Sequence, residues 1–223
     1  MVGSGVGELV REWVGGWAAS RGAAEPIAAP WGWTIDVGQS AQAWRQVLPE
    51  PTEAVVRELA GGASVPGAWL KLFAEVEAVR PWLASGWRLD RPAHLMSCRL
   101  APERPAVPTG YRVTTWTRHE VTRVLVRTAD GAFAARGQIA VAAPGASAVA
   151  DQIETAPAHR RRGLGGVVMR TLQNAAHEAG ARSGVLVASG EGRALYTSLG
   201  WTFRAPMASA WYEPQGPEPG PAS

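Results

Sequence analysis

The 223-residue chain is 46% hydrophobic and 18% charged, which predicts a soluble globular protein of one large or two small domains and excludes a disordered chain. Its single cysteine, Cys98, excludes an internal disulfide framework and a cysteine-rich zinc site, and we expect no metal. No apolar run approaches the roughly 18 residues of a membrane span, and the N-terminus lacks a clean signal-peptide core, so the cytoplasm is the expected location.

The net charge of +3 is small for a nucleic-acid-binding protein. Lys71 is the only lysine, and the arginines are dispersed except at 160–162. A nucleic-acid interface would be expected to show a broader basic face with aromatic residues interleaved. We therefore expect neither a nucleic-acid nor a membrane partner.

The first half of the chain alternates helical and extended patterns. A helix is predicted at 8–19, where Leu9, Trp13 and Trp17 share one face. The elements predicted after it are a strand at 31–37, a helical stretch after Ser40 that prolines interrupt and that resumes at 52–59, a buried strand at 68–73, a short helix at 75–83, and strands at 86–89 and 95–100. Three prolines make 101–108 a linker.

The second half is predicted to be a mixed α/β segment. Its predicted elements are strands at 111–116, 121–128 and 135–142, a turn at Pro144-Gly145, a strand at 149–155, a helix from Leu164 that Gly180 ends, a strand at 185–188, a short helix at 192–199, and strands after Gly200-Trp201. Asp130-Gly131 is a strong hairpin signal between the second and third strands. The Pro/Gly-rich tail from Pro214 is predicted to be disordered.

A faint internal repeat connects the two halves. Residues 69–98 and 185–211 each run through a strand, a short helix and Gly-Trp, with a proline five residues after the tryptophan. If the repeat reflects duplication, the first copy has residues 41–45 where the second has a loop rich in glycine and arginine. That copy would then be unable to bind the same ligand. Motifs of this size also recur by chance.

The loop in question, residues 154–166, places three arginines and three glycines between a predicted strand and a predicted helix. Glycine lets the backbone approach a ligand, and a helix N-terminus offers unpaired N–H groups and partial positive charge. Three arginines oppose the preference of that position for acids, which favours a bound anion over a solvated cluster.

Three phosphate-binding patterns can be compared with this loop. A Walker loop requires a lysine, which is absent here, and the dinucleotide pattern fails because Val168 replaces its third glycine and Val185 its acid. Arg160-x-x-Gly163-x-Gly165 instead resembles the acyl-CoA-binding motif of the GNAT superfamily of N-acetyltransferases. Residues 195–201, Leu-Tyr-Thr-Ser-Leu-Gly-Trp, are similar to the second signature of that family, with tryptophan in place of phenylalanine. The resemblance covers about residues 110–212.

The resemblance implies an α/β fold, with a GNAT-like mixed, mostly antiparallel sheet flanked by helices. The expected organisation is an accessory domain at 1–105 that is a degenerate GNAT-like copy, an acyl-CoA-binding GNAT domain at 106–213, and a disordered tail at 214–223. Acetyl-CoA is the expected co-substrate, with its pyrophosphate on the amides of 161–166 and its pantetheine beside the strand at 153–155. The residues implied in binding it are Ile153, Thr155, Arg160, Arg161, Arg162, Gly163, Leu164, Gly165, Gly166, Ser189 and Tyr196.

Tyr196 resembles the family's general acid, since a phenol is protonated at neutral pH and can donate to a leaving thiolate; the alternative is a tyrosine packed in the core. Glu154 and Asp151 are the candidate general bases. Three positions apart on a strand, they should point to opposite faces, and we favour Glu154 over its alternative role as a surface partner of Arg160 or Arg162. His159 could be a base by its chemistry, but its place beside the loop favours exposure, and His94 is a remote candidate.

The predicted function is transfer of acetyl from acetyl-CoA to a primary amine of a small molecule, by direct attack in a ternary complex. The alternatives are a non-catalytic acyl-CoA-binding module and acyl transfer to a peptide or protein amine. A monomer or homodimer is expected. Between Trp116 and Val121 there is room only for a turn where family members have two helices, so the N-terminal half is expected to cover the acceptor side. The tryptophans of that half either fill its core or, as Trp31, Trp33 and Trp44, line the acceptor site.

Overall fold

The structure, a computed structural model, describes residues 5–39, 42–142, 145 and 147–214. The predicted turn residue Pro144 and all but the first residue of the predicted disordered tail lie outside the described residues. Within the described part of the chain the α-helices are α1 (Val6–Arg21), α2 (Glu53–Gly61), α3 (Val76–Val79), α4 (Leu164–Glu178) and α5 (Gly190–Ser198). Single 3-10 turns follow α3 and precede α4, at Arg80–Trp82 and Pro157–His159.

Extended structure makes up much of the rest of the fold. The strands are β1 (Ile27–Ala29), β2 (Gly32–Gln39), β3 (Gln42–Leu48), β4 (Ala68–Leu72), β5 (Trp87–Leu89), β6 (Ala93–Arg99), β7 (Tyr111–Arg118), β8 (Val121–Thr128), β9 (Phe133–Ala140), β10 (Ala148–Thr155), β11 (Ser183–Ser189) and β12 (Thr202–Tyr212). The sheet is mostly antiparallel and flanked by helices, which confirms the predicted fold class.

The chain forms two compact units, and each unit is discontinuous in sequence. The first unit combines the segment up to Ala23 with His94–Arg204, and the second combines Ala24–Ala93 with the residues from Ala205 onward. These units do not follow the predicted boundary at 105/106. The difference arises because α1 packs on β9, β10 and β11, whereas the second half of β12 pairs with β4 and β5.

In the first unit the strands lie in the order β6, β11, β10, β9, β8, β7. Gln138 on β9 donates to the backbone of α1, whereas a side chain at the neighbouring Gly137 would meet Val168 and Leu172 of α4. Since adjacent strand residues point to opposite faces, α1 and α4 cover opposite faces of this part of the sheet. The apolar residues Leu164, Val168, Leu172 and Ala176, spaced along one face of α4, are buried in the core of this unit.

In the second unit β1, β2 and β3 form an antiparallel meander, β3 and β4 pair in parallel, and β4 pairs with β12, which also pairs with β5. Leu48, Leu70 and Leu72 pack with Val56 of α2 in a separate core. Trp31 also packs against this core, while Trp33 and Trp44 are half-buried.

Two details of the sequence interpretation are corrected in the second unit. The helical stretch predicted directly after Ser40 is wrong, because Gln42–Leu48 is strand β3, held between β2 and β4. The predicted position of the degenerate loop, 41–45, shifts accordingly. The connection between β3 and α2 is residues 49–52, Pro-Glu-Pro-Thr, which contains neither glycine nor arginine.

With that shift, the same order of elements occurs twice along the chain. The series β1, β2, β3, α2, β4, α3, β5 corresponds to β8, β9, β10, α4, β11, α5, β12. In each series two antiparallel pairs precede one parallel pair, which a helix joins. Gly86 and Gly200, both with φ near +85°, precede the tryptophan that leads to the last strand of each series. The short repeat seen in the sequence is thus part of a longer repeated order of secondary-structure elements. Of the helices described here, none combines the length and apolar character required to span a membrane.

Candidate active site

The main cleft of the first unit opens where two parallel strands separate. β10 and β11 pair only at Ala148↔Gly184 and Val149↔Val185, although β10 continues to Thr155 and β11 to Ser189. A cleft of about 800 Å³ lies beyond this point and is lined by both strands, the N-terminus of α4 and one side of α5. Its volume is in the range of small-molecule binding sites, roughly 300–1,000 Å³.

A β-bulge sits in the part of β10 that lines the cleft. Asp151 is opposite Gln138 and Glu154 is opposite Arg136, so Gln152 and Ile153 together face Gly137 on β9. Gln152 has φ of 54°, in the left-handed region that non-glycine residues rarely adopt. Bulges of this kind bend a strand and are frequent beside functional sites. This one coincides with the divergence of β10 from β11.

The bulge overturns the prediction that Asp151 and Glu154 point to opposite faces. Their partners Gln138 and Arg136 are two residues apart on β9 and therefore share a face, and residues that oppose each other across strands point the same way. Without the bulge, residues three positions apart would point to opposite faces of the sheet, and the extra residue brings them back to the same face. Both carboxylates consequently lie on the sheet face that α1 covers in part.

The cleft brings together every residue predicted to bind the co-substrate or to catalyse transfer, except Arg162. The predicted residues in its lining are Ile153, Glu154, Thr155, Arg160, Arg161, Gly163, Leu164, Gly165, Gly166, Ser189 and Tyr196. His159, Glu191 and Leu195 also line it and were not predicted. Arg160 and Arg161 are exposed, and within the described residues neither forms an ion pair with an Asp or Glu side chain.

The start of α4 has backbone N–H groups without helical partners at residues that line the cleft. The first bond of the helical ladder is donated by the N–H of Val167 to the carbonyl of Gly163, at 3.1 Å. The N–H groups of Leu164, Gly165 and Gly166 precede that bond and have no intrahelical acceptor. Gly163 caps the helix with φ of 78° and Arg161 has φ of 60°, so two residues just before the helix have a left-handed backbone conformation. These donors and the partial positive charge of the helix end suit an anionic group.

Gly165 also contributes to the packing of α4 against α5. A Cβ at Gly165 would lie 2.8 Å from Cδ2 of Leu195. Its missing side chain therefore allows α4 and α5 to approach, and this contact forms the wall of the cleft between them.

A small polar network fixes the arginine loop from the side of β7. The guanidinium of Arg162 donates to the hydroxyl of Tyr111 at 3.1 Å, and that hydroxyl lies 3.0 Å from Nδ1 of His159. Arg162 therefore contacts Tyr111, outside the cleft lining, and its predicted role in binding stays a prediction. His159, expected to be exposed, is half-buried against the ring of Tyr111.

Tyr196 lies on the buried side of α5 and reaches the cleft. Its ring is 8% exposed and packs beside Trp201 in the core. Burial raises the pKa of Tyr196 to about 12, and the negative charge of Asp151 acts in the same direction. The phenol is therefore protonated at neutral pH and can donate a proton to a group in the cleft.

Both carboxylates of β10 have cationic partners. Glu154 accepts from Arg136 at 2.8 Å, and both side chains are about half exposed. Asp151 is more enclosed, and it accepts from the hydroxyl of Ser20 at 2.9 Å and from the guanidinium of Arg21, both at the end of α1. Of the two, Glu154 lines the cleft and Asp151 does not.

The remaining predicted residues have structural roles. Ser189 caps α5, where its hydroxyl accepts from the N–H of Gly192 at 3.1 Å, and it also lines the cleft. His94 is stacked edge-on against Phe203, away from the cleft lining. Burial raises the pKa of the Cys98 thiol to about 11, which keeps it protonated and unreactive at neutral pH. Among the described residues no group of three or more His, Cys, Asp or Glu side chains is arranged to hold a metal ion.

Comparison with known proteins gives a family match and a shared fold. The family model described as FR47-like protein matches residues 136–212, and no curated protein matches the chain. A GCN5-related N-acetyltransferase from Kribbella flavida has a TM-score of 0.64 and 17% identity, over 93% of this chain and 96% of that one. A GNAT-family protein from Novosphingobium aromaticivorans has a TM-score of 0.57 and 20% identity, over 92% and 97%.

A third similar structure is a tandem GNAT protein from the clavulanic acid biosynthesis pathway, with a TM-score of 0.50 and 16% identity over 66% of this chain and 65% of that one. The strand divergence, the glycine-arginine helix start and Tyr196 thus occur in a chain that has the GNAT fold and an FR47-like segment, which confirms the predicted resemblance to the GNAT superfamily of N-acetyltransferases.

Proposed function

We propose that the protein transfers the acetyl group of acetyl-CoA to a primary amine of a small molecule, by direct attack in a ternary complex. The proposal rests on one observation: the N-terminus of α4 and Tyr196 line the same cleft. The first can hold the phosphates of the donor, and the second can protonate the sulfur that leaves. A module that only bound an anion would need the first alone.

The donor would bind along the divergence of β10 and β11. The amides at the start of α4 would hold its pyrophosphate, with Arg160 and Arg161 supplying charge-assisted hydrogen bonds. The edge of β10 that faces β11 is unpaired beyond Val149, so the backbone at 153–155 can bond an extended pantetheine chain as it would another strand. The thioester would then lie toward Tyr196.

In the transfer step the amine nitrogen forms a bond to the thioester carbon while the carbon–sulfur bond breaks. Tyr196 donates its phenolic proton to the sulfur, and the attacking amine loses a proton toward Glu154, directly or through water. The ion pair with Arg136 holds the Glu154 side chain on the sheet face that it shares with Asp151. Asp151, bound by Ser20 and Arg21, serves to anchor α1 on β10.

One observation favours the second candidate, a non-catalytic acyl-CoA-binding module. Both carboxylates on this part of β10 already have arginine partners, so neither is a free base. The two functions differ in whether thiol is released from acetyl-CoA when amines are present.

The test is a panel of primary amines with acetyl-CoA and detection of free thiol, on wild type, Tyr196→Phe and Tyr212→Phe. Tyr212 offers a matched loss of one hydroxyl, since it does not line the cleft. Tyr196→Phe should lower kcat about 10²- to 10⁴-fold and leave acetyl-CoA affinity nearly unchanged, whereas Tyr212→Phe should retain wild-type turnover. Acetyl-CoA at a hundred times its Kd should stabilise the fold by about 2.7 kcal/mol. Stabilisation without thiol release from any amine would favour the binding module, and no stabilisation would overturn both candidates.

A further inference from the structure

The sheet face that carries Glu154 continues outward into a surface rich in arginine. On β7 the residues that alternate onto this face include Arg112, Trp116 and Arg118, and on β8 they include Arg123 and Arg127. We call the four arginines and Trp116 together the arginine face. Register fixes its orientation, because Leu125 lies opposite Arg136 and Arg136 lies opposite Glu154, all pointing the same way.

The arginine face is accessible and carries a large excess of positive charge. Arg112, Arg118 and Arg127 are exposed, Arg123 is half-buried, and Trp116 is 44% exposed. Among the residues that the structure describes, none of the four arginines takes part in an ion pair. The acids on the same face of β10 are Asp151 and Glu154, and both are already paired with other arginines.

The arrangement of these charges is costly without an anion. Arg112 and Arg127 stand directly opposite each other across β7 and β8, where like charges destabilise a strand pair. Nearby acids occupy the turns at the ends of the hairpin, and Asp130 there is held by the hydroxyl of Thr128, which lowers the pKa of its carboxyl. A group of two or more negative oxygens could bridge Arg112 and Arg127, since a guanidinium binds carboxylate and phosphate in a two-pronged geometry.

The distance from this pair to Glu154 suits one small molecule. Arg127 lies two strands from β10, about 10 Å at the usual strand spacing, and two residues, about 7 Å, along β8 from the row of Glu154. At these ideal spacings the Cα atoms of Arg127 and Glu154 would be about 12 Å apart, within the combined reach of one small molecule and the two side chains. An acceptor whose amine reached Glu154 could place an anionic group between Arg112 and Arg127.

We infer that the acceptor is an anionic amine, in which a carboxylate or phosphate is held by Arg112 and Arg127 while the amine reaches Glu154. This inference rests on the proposed function, because it concerns the acceptor of the same transfer. It commits to one occupant for the arginine face, a small acidic molecule, on the grounds of charge complementarity. A polyamine acceptor is disfavoured by the same charges.

The test uses acetyl-CoA and three sets of linear primary amines of matched length that end in a neutral amide, a carboxylate or a phosphate. We expect wild type to prefer the anionic acceptors in kcat/KM, with the carboxylate and phosphate sets showing which oxyanion the face selects. The Arg112→Gln/Arg127→Gln double mutant should lose about three- to thirtyfold in kcat/KM for anionic acceptors and keep its KM for acetyl-CoA and its rate with the neutral set. Increasing salt should reduce the wild-type preference toward that of the mutant.

Arg99→Gln is the matched control, because Arg99 is an exposed arginine of the same unit at the end of β6, outside the cleft and the arginine face. It should keep the wild-type preference. Transfer with no anionic preference, or a preference that the double mutant retains, would overturn the inference and leave the proposed function standing. The inference would also be overturned if the arginine face bound a single-stranded oligonucleotide, the double mutant lost that binding, and the acceptor preference did not change. If no amine releases thiol while acetyl-CoA still binds, the proposed function fails first, and with it the acceptor inference that depends on it.

Discussion

The left-handed backbone of Gly163 allows a quantitative test of the helix start. Alanine at this position would meet no atom within 4 Å, so the Gly163→Ala variant adds only the backbone cost of φ near 78°. That cost is about 1–2 kcal/mol for a residue with a Cβ. We expect this cost to lower either the free energy of unfolding or the affinity for acetyl-CoA.

The division between the two depends on whether the loop relaxes. If the loop keeps its shape, the free energy of unfolding falls by about 1–2 kcal/mol and acetyl-CoA affinity is unchanged. If the loop relaxes in the free protein, stability is nearly kept, and the strain returns when the ligand requires the native helix start. The Kd would then rise about five- to thirtyfold. The sum of the two losses should stay at about 1–2 kcal/mol.

The assays are urea unfolding without ligand and calorimetric titration with acetyl-CoA. The control is Gly15→Ala in the interior of α1, where the added methyl also meets no atom within 4 Å but the backbone is not left-handed. That variant should gain about 0.5–1 kcal/mol in stability without a change in affinity. A Gly163→Ala variant with wild-type stability and wild-type affinity would refute the reasoning about the loop.

Three further predictions concern packing, ionisation and the bulge. Gly165→Ala should lower the free energy of unfolding in urea by about 1–3 kcal/mol, because the added methyl meets Leu195. The Gly165→Ala/Leu195→Ala double mutant should lose less stability than the sum of the two single mutants, and strict additivity would contradict the contact. The pKa is raised for Cys98 (from 9.0 to about 11) and for Tyr196 (from 10.0 to about 12), so both groups ionise at lower pH in the unfolded chain than in the folded protein. Their contribution to the free energy of unfolding is therefore complete below pH 9 and is lost as pH rises toward 12. Cys98→Ala and Tyr196→Phe should each make the free energy of unfolding fall less steeply over this pH range, and an unchanged pH dependence would contradict the assignment. Gln152→Gly should raise the unfolding free energy by up to about 1 kcal/mol by relieving φ of 54°, and a lower stability would show that the bulge depends on its glutamine.

The cleft residues could be predicted from the sequence because their signals are local. Arginine and glycine at a strand-to-helix junction, a tyrosine on the next short helix, and the apolar face of α4 each follow from composition and spacing over a few residues. The structure brings these segments to one cleft. His159 was expected to be exposed, and its half-burial could not be predicted because it depends on Tyr111, 48 residues away.

The errors concern features that long-range pairing decides. Residues 42–48 contain good helix formers such as alanine, glutamine and leucine, yet they form β3 because β2 and β4 pair on either side. The shared face of Asp151 and Glu154 depends on a bulge that exists only against β9. Neither the strand partners nor the extra residue can be recognised from periodicity within the segment itself.

The place of α1 in the first unit has a consequence for how the chain folds during synthesis. Ser20 at the end of α1 bonds to Gln138 and Asp151, 118 and 131 residues later. At a translation rate of about 5–20 residues per second, α1, in which Trp13 and Trp17 are buried in the folded protein, would leave the ribosome roughly 6–25 seconds before β9 and β10, on which it packs. During that interval an amphipathic helix with two tryptophans lacks its native partner. The first unit therefore cannot complete folding from its N-terminus, and nascent chains should expose a hydrophobic helix to chaperones until β10 has been made.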